Sequence, residues 1–372
     1  MELDPLDEHP IHQVPMSLAY IATSDRNAYD RCIYQAVAHD GSTELLTGLG
    51  VYPNQGSIDA FAVVRRGDQQ WAVHTAGSRP ADKLRQEVGP YKLEVVEPFR
   101  QLHLTCDGDD HGVGFDLWFE SEYEPMREPQ HVKYGWPTNK VMLEGCRYAQ
   151  LGTWRGEIRV DGQTLEVTPQ DWTATRDRSW GIRPVGDADP VGKPSEKEPG
   201  IWYYWIPLKF EDFGVHFMVE EDPNGFRTLN YAVRVWPTST GRKMEQLGWP
   251  EIDIRYRSGT RIPTGATLHC TTQDRKPLDI EIEALTYVPL HIGPGYGSGD
   301  GWNHGKWMGE NWVTGRTYDY TDPELLARVP WGSTDHLASA TCDGQQGYGI
   351  FEHASVGRHA PTGMDDITSV AK

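Results

Sequence analysis

The sequence predicts an all-β protein made of two antiparallel β-barrels or sandwiches in tandem. Three observations predict it. Apolar and polar residues alternate over short stretches, as in Phe115-Asp116-Leu117-Trp118-Phe119-Glu120. Asp-Gly and Gly-Asp pairs fall between such stretches, where hairpins need residues that tolerate positive φ. At 372 residues the chain exceeds what one hydrophobic core usually organises, and its 14 Trp and 17 Tyr suit strands better than helices.

The elements follow in order. Residues up to about Asn27 read as an irregular arm. Cys32–Val37 and Glu44–Val51 flank Asp40-Gly41 and form a hairpin; Ala60–Arg65 and Gln70–Thr75 form another around Gly67-Asp68. In Trp154–Val160, Arg155, Glu157 and Arg159 share the polar face, and Asp161-Gly162 turns the chain into Thr164–Val167. Pro184–Pro199, rich in Gly, Pro, Asp and Lys, reads as a linker. Strands resume at Trp202–Leu208. Phe217–Glu220 and Arg227–Trp236 form a hairpin with Leu229, Tyr231, Val233 and Val235 on one face. Ile252, Ile254 and Tyr256, then Ile280 and Ile282, continue the alternation. Only Asp322–Arg328 reads as a helix, with Asp at the N-cap and Pro at the first position. Gly293–Gly309 is a Gly- and Trp-rich loop. The expected division is a first barrel over residues 1–185, a second over 200–358 and a disordered tail over 359–372.

Charge and motifs exclude several functions. A net charge of -19 disfavours nucleic acid and anionic membrane surfaces. No apolar run is long enough to span a bilayer as a helix, and Met1–His12 is acidic rather than signal-like. Cys32, Cys106, Cys146, Cys270 and Cys342 are scattered without CxxC spacing, so they read as reduced thiols in a cytoplasmic protein. No dinucleotide, P-loop, nucleophile-elbow or zinc motif occurs, so the expectation is no cofactor and no metal.

The stretch Thr175–Pro184 concentrates chemistry, with Arg176, Asp177, Arg178, Ser179, Trp180 and Arg183 together. If it is extended, Asp177 and Ser179 share one face while Arg176, Arg178 and Trp180 share the other. An Asp177 carboxyl facing an apolar lumen would have its pKa raised and could donate a proton near neutrality. Alternatively, three arginines keep it ionised and the cluster staples the barrels together. His304 and Glu310, in the Gly-rich loop, are candidates to hold a water or act as base. Asp335-His336 and Glu352-His353 are further acid–base reserves, and Glu124 and His131 read as rim residues. Trp154, Trp180, Trp202, Tyr204 and Trp307, with Tyr203, Trp205 and Trp302 beside them, are candidates to shape the cavity and stabilise positive charge by cation–π attraction, although large aromatics ordinarily fill cores.

Tyr148-Ala149-Gln150-Leu151-Gly152 and Arg176-Asp177-Arg178-Ser179-Trp180-Gly181 resemble the signature of a bacterial family, Tyr-x-Gln-x-Gly followed by Arg-Asp-His-Ser-Trp-Gly. That family is similar to the carotenoid 1,2-hydratases and to lipocalin-like pericyclases. The resemblance implies two lipocalin-like barrels, an interior cavity with acidic side chains, and cofactor-free chemistry on olefins. Arg178 departs from it, standing where relatives carry His. The reading is therefore a lyase or isomerase, hydratase-like, that protonates a C=C bond of a terpenoid, steroid or polyketide. Asp177 is the donor, and Glu310 or His304 holds the water or base. The alternative is a carrier or sensor that encloses a lipophile without transforming it; a structural partner is a third idea. The expected partner is a hydrophobic small molecule, with homodimerisation left open.

Overall fold

In a computed structural model, the structure describes residues 3–135, 139–186 and 200–372. Most of the segment read as a linker lies outside the described residues. The strands are β1 (Ala28–Ala38), β2 (Thr43–Tyr52), β3 (Ser57–Arg66), β4 (Gln69–Ser78), β5 (Gln86–Val88), β6 (Tyr91–Glu97), β7 (Gln101–Cys106), β8 (Val113–Glu120), β9 (Met126–Arg127), β10 (His131–Gly135), β11 (Lys140–Val160), β12 (Gln163–Val167), β13 (Trp172–Ile182), β14 (Gly200–Phe210), β15 (Gly214–Glu221), β16 (Arg227–Val235), β17 (Glu245–Gln246), β18 (Gly248–Tyr256), β19 (Pro263–Thr271), β20 (Pro277–Pro289), β21 (Trp312–Asp319), β22 (Thr334–Cys342) and β23 (Gln345–Gly357). One short helix, α1 (Pro323–Leu326), starts where the sequence places it, with the Asp322 side chain accepting from Glu324 N–H.

These strands form two antiparallel sheets, as expected of lipocalin-like barrels. The first, of 14 strands, runs β21-β4-β3-β2-β1-β13-β11-β8-β7-β6-β5, with β9, β10 and β12 also paired to β11. It curls into a half-barrel. The second, of nine strands, runs β17-β16-β15-β14-β23-β22-β20-β19-β18. It closes almost completely: β16 approaches β18, and Gln273 N–H donates to the Glu245 carboxylate beside β17 at 2.8 Å.

Strand parity explains where the cores lie. On β1, Cys32, Tyr34, Ala36 and Ala38 point into the first barrel, where they meet Leu117, Phe119 and Trp154. On β14, Trp202, Tyr204, Ile206, Leu208 and Phe210 point into the second, against Phe217, Leu268 and Phe351. The larger apolar side chains among them, such as Ile206, Leu208 and Phe210, each contribute roughly 1.5–3 kcal/mol by leaving water. The intervening residues face the other sheet: Ile33 and Val37 from β1, Trp205 from β14, Ile350 from β23. Both barrels are thus filled by their own side chains, and the two sheets meet along a seam.

Two expectations are corrected. The second half is not confined to the second barrel, because β21 pairs with β4 from Trp312↔Ala76 to Asp319↔Gln69. It covers an edge of the first sheet that would otherwise expose unpaired backbone. Nor is the segment from His359 a disordered tail. His359 is buried, stacks on Trp202 with ring centroids 3.9 Å apart, and bonds Glu221 at 3.0 Å. Arg261 then ties down the end of the chain through the carbonyls of Asp366 and Ser369.

The signature residues are partly scaffold. Gln150 is buried; it accepts from Arg176 Nη2 at 2.6 Å and donates to the carbonyls of Phe99 and Tyr123, both at 2.7 Å. Gly181 has φ 140°, and a Cβ there would lie 2.1 Å from the Glu144 carbonyl oxygen, so only glycine lets β13 approach β11 at this point.

Candidate active site

Asp177 sits in the middle of β13, opposite Ile33 of β1 and Ala149 of β11. Alternation along β13 turns Thr175, Asp177 and Ser179 to the seam, and Trp172, Ala174, Arg176 and Arg178 to the other face. The orientation read from the sequence holds, but the hollow is not inside a barrel. A cavity of about 260 Å³ lies between the sheets. Its walls combine apolar side chains (Ile33, Leu46, Phe61, Leu290, Met218) with Tyr29, Tyr203 and Tyr296, the cations Arg147 and Arg183, and the acids Asp177, Asp335 and Glu352. His131, Lys133 and Glu220 belong to the same wall.

The charges in this wall are held very differently. Glu128 is buried, yet its pKa is pulled down to about 2: burial works against its charge, but Arg147, His216 and Trp205 outweigh burial. It ion-pairs with Arg147 Nε and accepts from Trp205 Nε1 and His216 Nε2, each at 2.8 Å. Arg147 Nη2 also donates to the Tyr203 hydroxyl at 2.6 Å. This cluster joins the first sheet to β14 and β15 and neutralises the Arg147 cation.

Asp177 has no such support. Among the described residues nothing hydrogen-bonds its carboxyl or ion-pairs with it. Burial raises its pKa to about 7; Arg147 and Arg183 pull the other way, while Glu128 and Glu352 add repulsion. Glu352, directly opposite Asp335 on neighbouring strands, is likewise raised by burial, although it accepts from Ser333 Oγ at 2.6 Å. Asp335 is raised well above the carboxylate range by burial and by the Glu352 charge, with Gln35 Nε2 donating to it at 3.1 Å. Gln35 in turn accepts from Thr175 Oγ1 at 2.7 Å. Asp177, Glu352 and Asp335 therefore disfavour one another's ionisation, each charge raising the cost of the next.

A family model matches residues 3–365. The chain belongs to DUF8625, a family of unknown function. The fold of this DUF8625 chain is similar to solved structures that include the following three. An AttH-like protein from Nitrosomonas europaea is 12% identical with a TM-score of 0.53, covering 93% of this chain and 98% of that one. Kievitone hydratase from Nectria haematococca is 12% identical with a TM-score of 0.50, covering 95% and 96%. CghA in complex with Sch210972 is 11% identical with a TM-score of 0.51, covering 89% of each chain. At these identities the likeness shows the fold. No curated protein matches the chain by sequence.

The other residues singled out in the sequence fall elsewhere in the DUF8625 chain. Trp154, Trp202 and Tyr204 are buried in the barrel cores, not in the cavity wall. Trp180 is 44% exposed on the face opposite Asp177, and Trp307 is 53% exposed in its loop. Glu310 is exposed and caps β4 through Ser78, away from the cavity. His304 is buried in a separate, adjoining space, with Nδ1 3.5 Å from Asp59 Oδ1. Arg178 points away from the cavity, paired with Asp30 at 2.9 Å and bonded to Gln86 at 3.0 Å. A proton carrier at position 178 would face the wrong side of the strand. Of the reserves, Asp335 and Glu352 reach the cavity, whereas their neighbours His336 and His353 do not.

Sequence reasoning missed Arg147 and Glu128, and on β14 it favoured Trp202 and Tyr204 over their neighbour Tyr203. The signal was there in strand parity: with the hollow at the seam, position 203 faces it and 202 and 204 do not. Among the described residues no three His, Cys, Asp or Glu side chains gather as a metal-ligand set. Four of the cysteines are buried free thiols, and Cys146 is partly exposed at the cavity.

Proposed function

We propose that this protein is a cofactor-independent lyase or isomerase, hydratase-like, that protonates a C=C bond of a hydrophobic substrate such as a terpenoid, steroid or polyketide. The observation that carries the reading is Asp177: a buried carboxyl without a hydrogen-bond partner among the described residues, facing a cavity of mixed apolar and charged walls, with a pKa raised to about 7. Such a group is still protonated near neutrality and close to the optimum for a general acid. The similarity in fold to kievitone hydratase supports the reaction class.

In the hydration direction the alkene π electrons take the Asp177 proton, forming a C–H bond and leaving a cation on the neighbouring carbon. Water attacks that carbon, and its excess proton passes to Glu352. Proton exchange with solvent then returns Glu352 to its carboxylate and Asp177 to its acid form. In an isomerisation Glu352 instead removes a proton from a carbon next to the cation, and a displaced double bond forms. The rings of Tyr29, Tyr203 and Tyr296 line the cavity and offer faces to positive charge. Because Glu128 neutralises Arg147, that guanidinium does not hold Asp177 ionised.

The test is incubation with a panel of terpenes, sterols and polyketides in isotopically labelled water, read by mass spectrometry, with Asp177→Asn alongside. Label incorporation or a shifted double bond, abolished in Asp177→Asn with binding intact, supports the enzyme. Binding without turnover in both proteins would replace this reading by that of a carrier.

A further inference from the structure

Beside the seam cavity lies a smaller space of about 120 Å³, walled by Arg31, Arg183, Tyr296, Asn303, His304 and the glycine-rich backbone at Gly295 and Gly297. Arg183 and Tyr296 belong to the walls of both spaces. We propose that the smaller space binds the carboxylate head of a ligand whose apolar part fills the cavity beside Asp177, so that the substrate is a hydrophobic acid. This rests on the reading of the larger cavity as the substrate pocket.

Polar atoms without partners point to a ligand. Arg31 is only 3% exposed, and among the described residues neither its Nε nor the buried His304 Nε2 has a hydrogen-bond partner. Burying such groups unpaired costs free energy that a bound oxyanion would recover. The charge balance agrees. Arg31 and Arg183 bring two positive charges, and Asp59 brings one negative charge. Asp59 is already engaged, accepting from the Tyr52 hydroxyl at 3.0 Å and from Gly305 N–H at 2.6 Å. Burial first, then the Arg31 charge, lowers the His304 pKa to about 4, so it adds no charge at neutrality. One positive charge remains, which a monoanionic carboxylate matches. Tyr296 stands between the two guanidiniums, 5.2 Å from Arg31 and 5.5 Å from Arg183, measured to the ring centroid. It is placed to pack on the first carbons of the chain.

Matched probes test this by isothermal titration calorimetry: octanoate, octanol and octyl phosphate. Octanoate is expected to bind about tenfold or more tighter than octanol, the worth of a charge-assisted hydrogen bond. In Arg183→Gln that preference should fall to about threefold or less, with octanol binding unchanged. Arg31→Gln should do the same if it folds; Arg183 is partly exposed, so its variant keeps the test available. Equal binding of acid and alcohol, or a preference that survives Arg183→Gln, would overturn the proposal. Octyl phosphate binding about tenfold tighter than octanoate would overturn the carboxylate assignment. Asp177→Asn should retain the preference. A retained preference with no turnover on any acid would therefore count against the catalytic reading alone.

Discussion

The barrel interiors and the seam between them are chemically opposite, and the seam is the less fully buried of the two. Inside the barrels, Trp154, Phe119, Trp202 and Phe217 pack into cores made almost entirely of apolar side chains. At the seam, the same strands present Gln35, Arg147, Asp177, Tyr203, Asp335 and Glu352. The difference teaches that each strand does two jobs by parity: one set of alternate residues stabilises its barrel, and the other builds a polar, titratable cavity. Charge is costly in both places, so it is concentrated where two sheets can supply partners, as around Glu128, or carried by an acid whose pKa burial raises to about 7, as at Asp177.

The largest expected effect breaks the seam at its centre. Asp177→Asn should reduce kcat by about 10²–10⁴. In the wild type, kcat/KM should fall as pH rises through about 7, because the acting form is the protonated one. The same variant should be more stable than wild type at neutral pH. The folded-state pKa lies above the unfolded value of 3.8, so the Asp177 contribution is most favourable below that value and declines as pH rises to about 7. The penalty at neutrality is at most about 4 kcal/mol. Thermal melting at acid and neutral pH checks it: a neutral-pH gain that vanishes in acid is expected.

Next, Glu128→Gln should cost about 3 kcal/mol, the low end for breaking a buried ion pair, because the Arg147 side chain it leaves without a counter-charge is 26% exposed. Phe217→Ala in the second barrel should cost about 3–5 kcal/mol, as an ordinary core deletion. Denaturant titration measures both. They separate in the pH profile: only Glu128→Gln should move the alkaline limb, because it alone alters the charges acting on Asp177.

Glu352→Gln is a smaller perturbation. It removes a repulsion that helps keep Asp177 protonated, so the limb near pH 7 should move to lower pH while turnover slows. A slowed enzyme with an unmoved limb would show that Glu352 is not coupled to Asp177. Smallest is Trp180→Ala, on the exposed face: stability should change by about 0.5 kcal/mol or less, with turnover unaffected.

Much of the fold was legible in the sequence. Asp40-Gly41, Gly67-Asp68 and Asp161-Gly162 mark hairpins, and the alternation at Phe115–Glu120 and Trp154–Val160 marks strands with one core face. The direction of the Asp177 side chain followed from the same period. The location of the hollow did not, because nothing local says whether a lipocalin-like strand keeps its cavity inside the barrel or between barrels. Placing it inside selected Trp202 and Tyr204, each one residue away from the cavity-facing Tyr203. Arg147 and Glu128 were hidden for another reason: their roles depend on contacts with β14 and β15, far along the chain. The capture of β21 by β4 likewise has no local signal.

The most direct measurement is the titration of Asp177 itself, by carbon NMR of protein carrying labelled aspartate, with Asp177→Asn used to assign the resonance. An apparent pKa near 7 is the predicted result. A carboxyl that titrates near 4 or below, and is therefore ionised throughout the neutral range, would contradict the account.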